Sequence, residues 1–414
     1  MALPPSSVIS AANHNPDDAT SLQRFPLLAC GLRPFFLLAA LDALINMGVW
    51  LSVYLHPGLW PSDQAITAIY WHAHEMLFGF VAAAIAGFLL TAVPNWTGRS
   101  PYQGTPLLAL TGLWLAGRIA MAPWSIAPPL LASAIDLAFY PALALTLTPS
   151  LIRAKTFRNL PFLGVLSALF LANLCFHLGA RGQLGAGEHI GLAVTVDIVV
   201  ILVVIIGGRI IPAFTKSGLM RSGITVRIET DRWMERVSVV SIAGVLIADL
   251  VMPLSALNGA VVFLAAFVQA FRLAQWAGYR TIRDPLLWVL HLGYAWLILG
   301  LMLKAIWLMT GAAAAEKWMH ALTVGAFATM IIAVMTRASL GHTGRALVAP
   351  RHIAVSYSLI TIAAAIRVFA PAILPVWYNE IIAVSAALWI GAFSIFLWIY
   401  MPILTGPRAD GRLG

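Results

Sequence analysis

Residues 71–99 read WHAHEMLFGFVAAAIAGFLLTAVPNWTGR. The apolar run 72–94 within this stretch is long enough to cross a hydrocarbon core of about 30 Å, which takes roughly 20 residues of α-helix. It opens on His72 and His74 and closes on Pro94 and Thr97-Gly98-Arg99. The rest of the chain has the same character. Its 414 residues are 61% hydrophobic and 10% charged, with mean hydropathy +0.88, whereas a soluble domain is about 45–50% apolar and about 25% charged. That balance excludes a water-soluble enzyme, and hydrophobicity this high excludes intrinsic disorder.

Working outward, apolar runs at about 33–55, 72–94, 106–121, 128–148, 161–178, 187–212, 236–252, 257–276, 286–310, 317–338, 353–370 and 380–402 predict an all-α polytopic membrane protein with 12 transmembrane helices. The third and fifth runs are near the lower limit of length. A tail at 1–32, one transmembrane domain at 33–402 and a tail at 403–414 complete the layout. The first 24 residues are polar, with no charged start leading into an apolar stretch, so no cleaved signal peptide is expected. Cys30 and Cys175 are the only cysteines, too few for a disulfide framework or an all-cysteine zinc site.

The net charge of +9 and a pI of about 9.9 would point to nucleic acid in a soluble chain. With twelve spans, 20 of the 25 Lys and Arg fall on one side and only Arg181 and Lys317 on the other. The positive-inside rule then predicts a multi-pass protein with both termini on the cytoplasmic side, a lipid bilayer as its surroundings and no nucleic-acid partner. The basic loop after the sixth span is read as topogenic, with anionic lipid as a further contact.

Short motifs recur with a period of four spans. His74 and Gly79 near the start of the second span match His320 and Gly325 in the tenth, and Thr97-Gly98-Arg99 matches Thr343-Gly344-Arg345. Glu188-His189 opens the sixth span, which closes through Pro212 on Thr215. The first, fifth and ninth spans open with Pro34, Pro161 and Pro285, where a missing N–H costs little. This pattern predicts three pseudo-symmetric four-helix repeats at about 33–148, 161–276 and 286–402. His72, His74, His189 and His320 then lie at one level in the outer third of the membrane, with His177 joining from the end of the fifth span.

Ionisable groups inside a bilayer are functional candidates by default. Those in the outer half are Glu75, Arg118, Asp136, Glu188, Asp197, Asp249, Lys304, Glu316 and Arg367, while the inner half has Asp42 and His291. In a helix, His72 and His74 point about 200° apart, so each serves a different site on either side of the second span. Neutral imidazole suits Fe, Cu and Zn, and an axial histidine suits haem. A Cys-x-x-Cys-His attachment motif is absent, so a haem would be non-covalent and b-type. The pairing expected is His74 with His320 through one haem, with His72 and His189 serving a second haem or a copper.

Glu75, Glu188 and Glu316, with Asp136 and Asp197, are candidates to orient ligated imidazoles, although carboxylates at helix starts also answer the macrodipole. Arg118, Lys304 and Arg367 are candidates to neutralise haem propionates, and snorkelling explains Arg118 and Arg367 equally well. The remaining readings are structural. His56, His342 and His352 are taken as solvated loop residues, His14 as part of the tail and His291 as a lone core histidine. Trp60, Trp71, Trp96, Trp318 and Trp377 are taken as an interfacial aromatic belt.

Arg33-Pro34-Phe35-Phe36, His72-Ala73-His74-Glu75-Met76 and Thr343-Gly344-Arg345 resemble the NnrS family over about Arg33 to Met401. The resemblance implies a bacterial inner-membrane protein containing haem and copper and linked to nitric oxide and nitrosative stress, without settling a reaction. The layout is also similar to the large subunit of haem-copper oxidases, at the level of fold analogy. There the His-x-His lies on the tenth helix and the seventh carries paired histidines. Here the His-x-His is on the second, and residues 236–252 hold no histidine. The expectation is a haem-binding protein that binds or turns over nitric oxide with an unidentified electron donor, and no catalytic residue is assigned. The alternatives are a transporter or channel for a metal ion or an NO-derived species, and a non-catalytic NO sensor or scavenger.

Overall fold

Twelve long helical segments follow one another, with no strand among the described residues, in a computed structural model that describes residues 25–61, 64–153, 159–228 and 231–411. They are α1 (Leu32–Leu55), α2 (Ala68–Thr97), α3 (Thr105–Ala120), α4 (Pro129–Ile152), α5 (Pro161–Ala180), α6 (Gly187–Arg221), α7 (Arg232–Val251), α8 (Ala256–Ala274), α9 (Pro285–Thr310), α10 (Ala313–His342), α11 (Ile353–Ile373) and α12 (Tyr378–Thr405). The tail residues 1–24, with His14 and Arg24, lie outside the described residues, as do Lys155, Arg158 and Arg412.

Ten of the helices are long and apolar enough to cross a membrane, which makes the chain a multi-pass membrane protein. The fifth span is among them at 20 residues, longer than its apolar run suggested. The exceptions are α3, with 16 residues, and α7, which carries Arg232, Glu235, Arg236 and Asp249.

Consecutive helices pack on one another and α12 returns to α1, closing a ring. The closure has named contacts. The Trp389 indole donates to the Ala43 carbonyl at 2.8 Å, and the buried Arg33 guanidinium donates to the Leu404 carbonyl at 3.1 Å and the Gly406 carbonyl at 2.7 Å. The Arg-Pro-Phe-Phe opening therefore ties the start of the bundle to the open carbonyls at its far terminus. Inside the ring, α2, α6 and α10 line a common apolar cavity.

The start of α1 and the end of α12 lie together at the arginine-rich end of the bundle. There Arg209 lies over Trp96 and Phe162, Arg337 lies over Phe214, and Arg408 donates to the His342 carbonyl at 2.9 Å. Not all of these cations are solvated loop residues as the charge count assumes. Arg33, Arg272 and Arg337 are buried. Arg272 lies within α8, where it pairs with Glu235 and donates to Tyr294 and the Val204 carbonyl, so it ties four helices together.

The repeated Thr-Gly-Arg motif is a helix stop. Gly98 (φ +65°) and Gly344 (φ +71°) adopt the left-handed conformation, and the amides of Arg99 and Arg345 bond back to the carbonyls of Pro94 and Leu340 at 3.0 Å. This is the Schellman closure. At the matching place in α6, Thr215 is followed by Lys216 instead of glycine. The helix therefore runs on past Pro212 to Arg221 and turns at Gly223 (φ +74°).

Gly98→Ala is expected to cost about 1–2 kcal/mol from backbone strain alone, because nothing lies near its missing Cβ. Gly344→Ala should cost more, because a Cβ there would meet the Asp410 carboxyl carbon at 2.5 Å. Thermal unfolding of both variants in one detergent checks that order.

Candidate metal centre

His74 is the seventh residue of α2, about 9 Å into the helix at 1.5 Å per residue, and is completely buried. Directly after it the helix widens into π turns over Glu75–Val81, and α10 does the same over Ala321–Ala328 directly after His320. Such widening is common at functional sites. In α2 it brings the backbone close to charged neighbours. Trp114 donates its indole N–H to the Gly79 carbonyl at 3.3 Å, and a Cβ on Gly79 would lie 2.6 Å from Asp42 Oδ2.

Around His74 four helices converge. Its Nδ1 meets Glu75 Oε1 at 3.0 Å. Its Nε2 is 3.3 Å from Asp136 Oδ2 on α4 and 3.1 Å from Asn173 Oδ1 on α5. His177, one helical turn beyond Asn173, places Nε2 at 2.9 Å from the same Asp136 oxygen. Asn173 donates to that oxygen at 2.7 Å. Arg118 of α3 bonds Glu75 at 2.6 Å and also pairs with Asp136. All five partner residues are nine-tenths or more buried.

His74, Asp136 and His177 each offer a ligand atom, and the three atoms lie within 4.8 Å of one another. Ligands of a tetrahedral ion with bonds of about 2.0–2.1 Å stand about 3.3 Å apart, the separation of His74 from Asp136. Two imidazoles and a carboxylate suit Fe(II), Cu(II) or Zn(II). Glu75 accepting from Nδ1–H leaves Nε2, which faces the acceptor oxygens of Asp136 and Asn173, to carry either a proton or an ion, the latter being the carboxylate–histidine–metal arrangement. The charges agree with this chemistry. Glu75 and Asp136 carry two negative charges against the single positive charge of Arg118. A bound cation, or a second proton on His74, supplies the balance.

On the opposite side of α2, His72 stacks on Trp50 of α1 with ring centroids 4.5 Å apart, and its buried Nδ1 has no partner. Arg367 and His72 are both electrostatic neighbours of His320. Arg367 lies over Tyr378 of α12 and has one buried, unpartnered nitrogen, Nη1. The tertiary structure thus groups His74 with His177 and Asp136, where the expected pairing joined His74 to His320, and leaves His72 as an electrostatic neighbour of His320.

The other candidates separate from these groups. His189 is exposed and Glu188 half-buried at the start of α6. Glu316 is exposed and pairs with Lys317 at 2.9 Å. Lys304 is buried between Asp197, at 3.7 Å, and Asp249, whose other oxygen accepts from Asn258 at 2.8 Å. Arg118 and Lys304 are therefore neutralised by carboxylates within the protein, whereas Arg367 pairs with no carboxylate among the described residues; Arg118 Nε and Arg367 Nη1 are both buried without a partner. His291 is a core histidine bonded to Thr215 at 2.9 Å. His342 ends α10 rather than lying in a loop, and Trp71 is buried, donating to the Met121 carbonyl at 2.8 Å, rather than lying at an interface.

Sequence reasoning missed Asn173 and Tyr140, and it set Asp42 apart from the outer group. Asn173 has no charge to flag it; its spacing one turn before His177 was the available signal. Asp42, assigned to the inner half, has Glu75 and Arg118 as electrostatic neighbours, and its Oδ2 is unpartnered. Tyr140, one turn after Asp136, carries a buried hydroxyl without a hydrogen bond.

Fold and site together define an all-helical, multi-pass membrane protein with a buried histidine–carboxylate group of metal-ligating geometry. The family model described as NnrS protein matches residues 26–408, and the chain belongs to that family. No curated protein sequence matches it.

Replacing Arg118 by Met leaves Glu75 and Asp136 buried without their cation. The expected loss is about 3–5 kcal/mol, read by thermal unfolding in a fixed detergent. Adding Glu75→Gln to that variant should restore part of it, since one uncompensated charge is then gone.

Proposed function

We propose that this chain is a bacterial inner-membrane protein that binds or turns over nitric oxide, using metal groups held on the two sides of α2. One observation carries this reading: the two histidines of His72-Ala73-His74 face different groups. His74 enters the cluster with Asp136 and His177, and His72, stacked on Trp50, has Arg367 and His320 as its electrostatic neighbours.

The second group suits a haem by its donors. Two imidazoles without side-chain hydrogen bonds among the described residues have as their electrostatic neighbour a guanidinium with an unpartnered nitrogen; the imidazoles would hold the iron and the guanidinium would partner a propionate. The first group suits a single ion, copper or iron, because its side chains are already at ligand spacing. A haem held by His72 and His320 would supply one-electron chemistry, and an ion held by His74, Asp136 and His177 would supply a centre able to bind a diatomic. The chain's own side chains do the positioning. Glu75 fixes the His74 ring, Arg118 fixes Glu75, and Asn173 fixes Asp136. Nitric oxide is small and apolar and reaches such a site through lipid, while turnover requires an electron donor.

We further propose twelve spans in three four-helix repeats, with both termini in the cytoplasm. Three groups of charged and polar side chains support this. The first draws on α2, α3, α4 and α5 through His74, Arg118, Asp136 and His177. The second draws on α6, α7, α8 and α9 through Asp197, Asp249, Asn258 and Lys304. The third draws on α10, α11, α12 and α1 through His320, Arg367, Tyr378 and Trp50.

Absorption spectra and metal content of protein expressed with haem precursor and metals test the function. His72→Ala and His320→Ala should each remove the Soret band. His74→Ala and His177→Ala should lower the non-haem metal to less than half and keep the band, and His189→Ala should change neither. A colourless, metal-free wild type would sink the reading and favour a transporter or channel. With metals present, repeated consumption of NO on a chemical reductant separates an enzyme from a sensor or scavenger.

A further inference from the structure

Toward the arginine-rich end, α2, α6 and α10 stand apart and enclose a cavity of about 330 Å³, within the size range of small-molecule sites. Its walls include Phe36, Phe88, Trp96 and Phe214, with Arg337 and His342 at the polar end. A smaller chamber of about 80 Å³ continues between the same three helices, sharing Phe36, Phe88 and Val334. No charged side chain lines that second chamber.

Arg337 gives this space a chemical demand. It is 5% exposed, its guanidinium carbon lies 4.0 Å from the Phe214 ring centroid, and its Nη1 is buried without a partner. No carboxylate pairs with it among the described residues. Asp284 is the carboxylate that acts on it electrostatically, and that side chain is occupied capping α9 by accepting from the Leu286 amide at 3.0 Å; Arg221 adds a like charge. A buried guanidinium left short of an acceptor is costly, and an oxyanion satisfies it through short, charge-assisted bonds. A hydrated inorganic anion would satisfy the nitrogen but leave the aromatic walls and the chamber beyond unfilled.

We infer that this cavity binds an amphiphile with an oxyanion head on one acyl chain, the head on Arg337 and the chain between α2, α6 and α10. The site is separate from the histidine groups and does not depend on any metal. The head is either the carboxylate of a free fatty acid or the phosphate of a single-chain phospholipid.

Wild-type protein in nanodiscs, titrated with dodecanoate, lysophosphatidylglycerol, dodecanol and inorganic phosphate, tests the site. At least one of the two anionic amphiphiles should bind tenfold or more tightly than dodecanol. Stronger binding of dodecanoate identifies the fatty acid as the source, and stronger binding of lysophosphatidylglycerol the phospholipid. Arg337→Gln should abolish the preference for the charged head while dodecanol binds as before. Equal binding of the alcohol and the anions by wild type overturns the site without any variant being needed. So does inorganic phosphate displacing the amphiphile as well as the amphiphile displaces itself, or a folded Arg337→Gln protein that keeps the preference.

Discussion

Arg118 lies between Glu75 and Asp136, away from water, and the arrangement of the first five helices follows from the need to keep those three charges together. A single ion in hydrocarbon costs far more than any packing contact returns. The helices that carry these residues are therefore held in one relative position, with His74, Asn173 and His177 brought in by the same oxygens. An oxygen of Asp136 accepts from groups on two helices at once, so α4 cannot shift without breaking several bonds together. A site fixed by its own charges in this way is preorganised before any ligand arrives.

The same constraint is met elsewhere with different residues. Lys304 takes the central place between Asp197 and Asp249, and Arg272 takes it between Glu235, Tyr294 and a backbone carbonyl. These groups are closed, since each cation has its counter-charge inside the protein. Around His72, His320 and Arg367 the balance is open, with nitrogens that no other side chain satisfies. Closed groups hold the bundle together. Open ones leave donors and acceptors for a ligand to complete, which is why the proposals rest on the histidine pair and Arg337 and not on Lys304.

α2 is the hinge of the site in the geometric sense. Two histidines two residues apart serve two sides of one helix, and the π turns that follow place Gly79 against Asp42 and free its carbonyl for Trp114. α10 repeats the widening after His320, with Gly325 against the Trp296 ring. In both helices a glycine sits where the altered turn presses on a neighbour, so the glycine and the histidine work as a pair.

Much of this was legible in the chain itself. The membrane class, the succession of twelve helical segments and the opposed faces of His72 and His74 follow from local properties: apolar length and the 3.6-residue turn. The Thr-Gly-Arg stops are local too, as is the longer α6, which has Lys216 where its counterparts have glycine. What the tertiary structure decided was partnership. Nothing in the spacing says that His74 meets His177 rather than His320, that Glu316 turns to the surface, or that Arg272 and Arg337 are buried. Those outcomes depend on which helices become neighbours when the ring closes, and on which buried charges must find each other once water is gone.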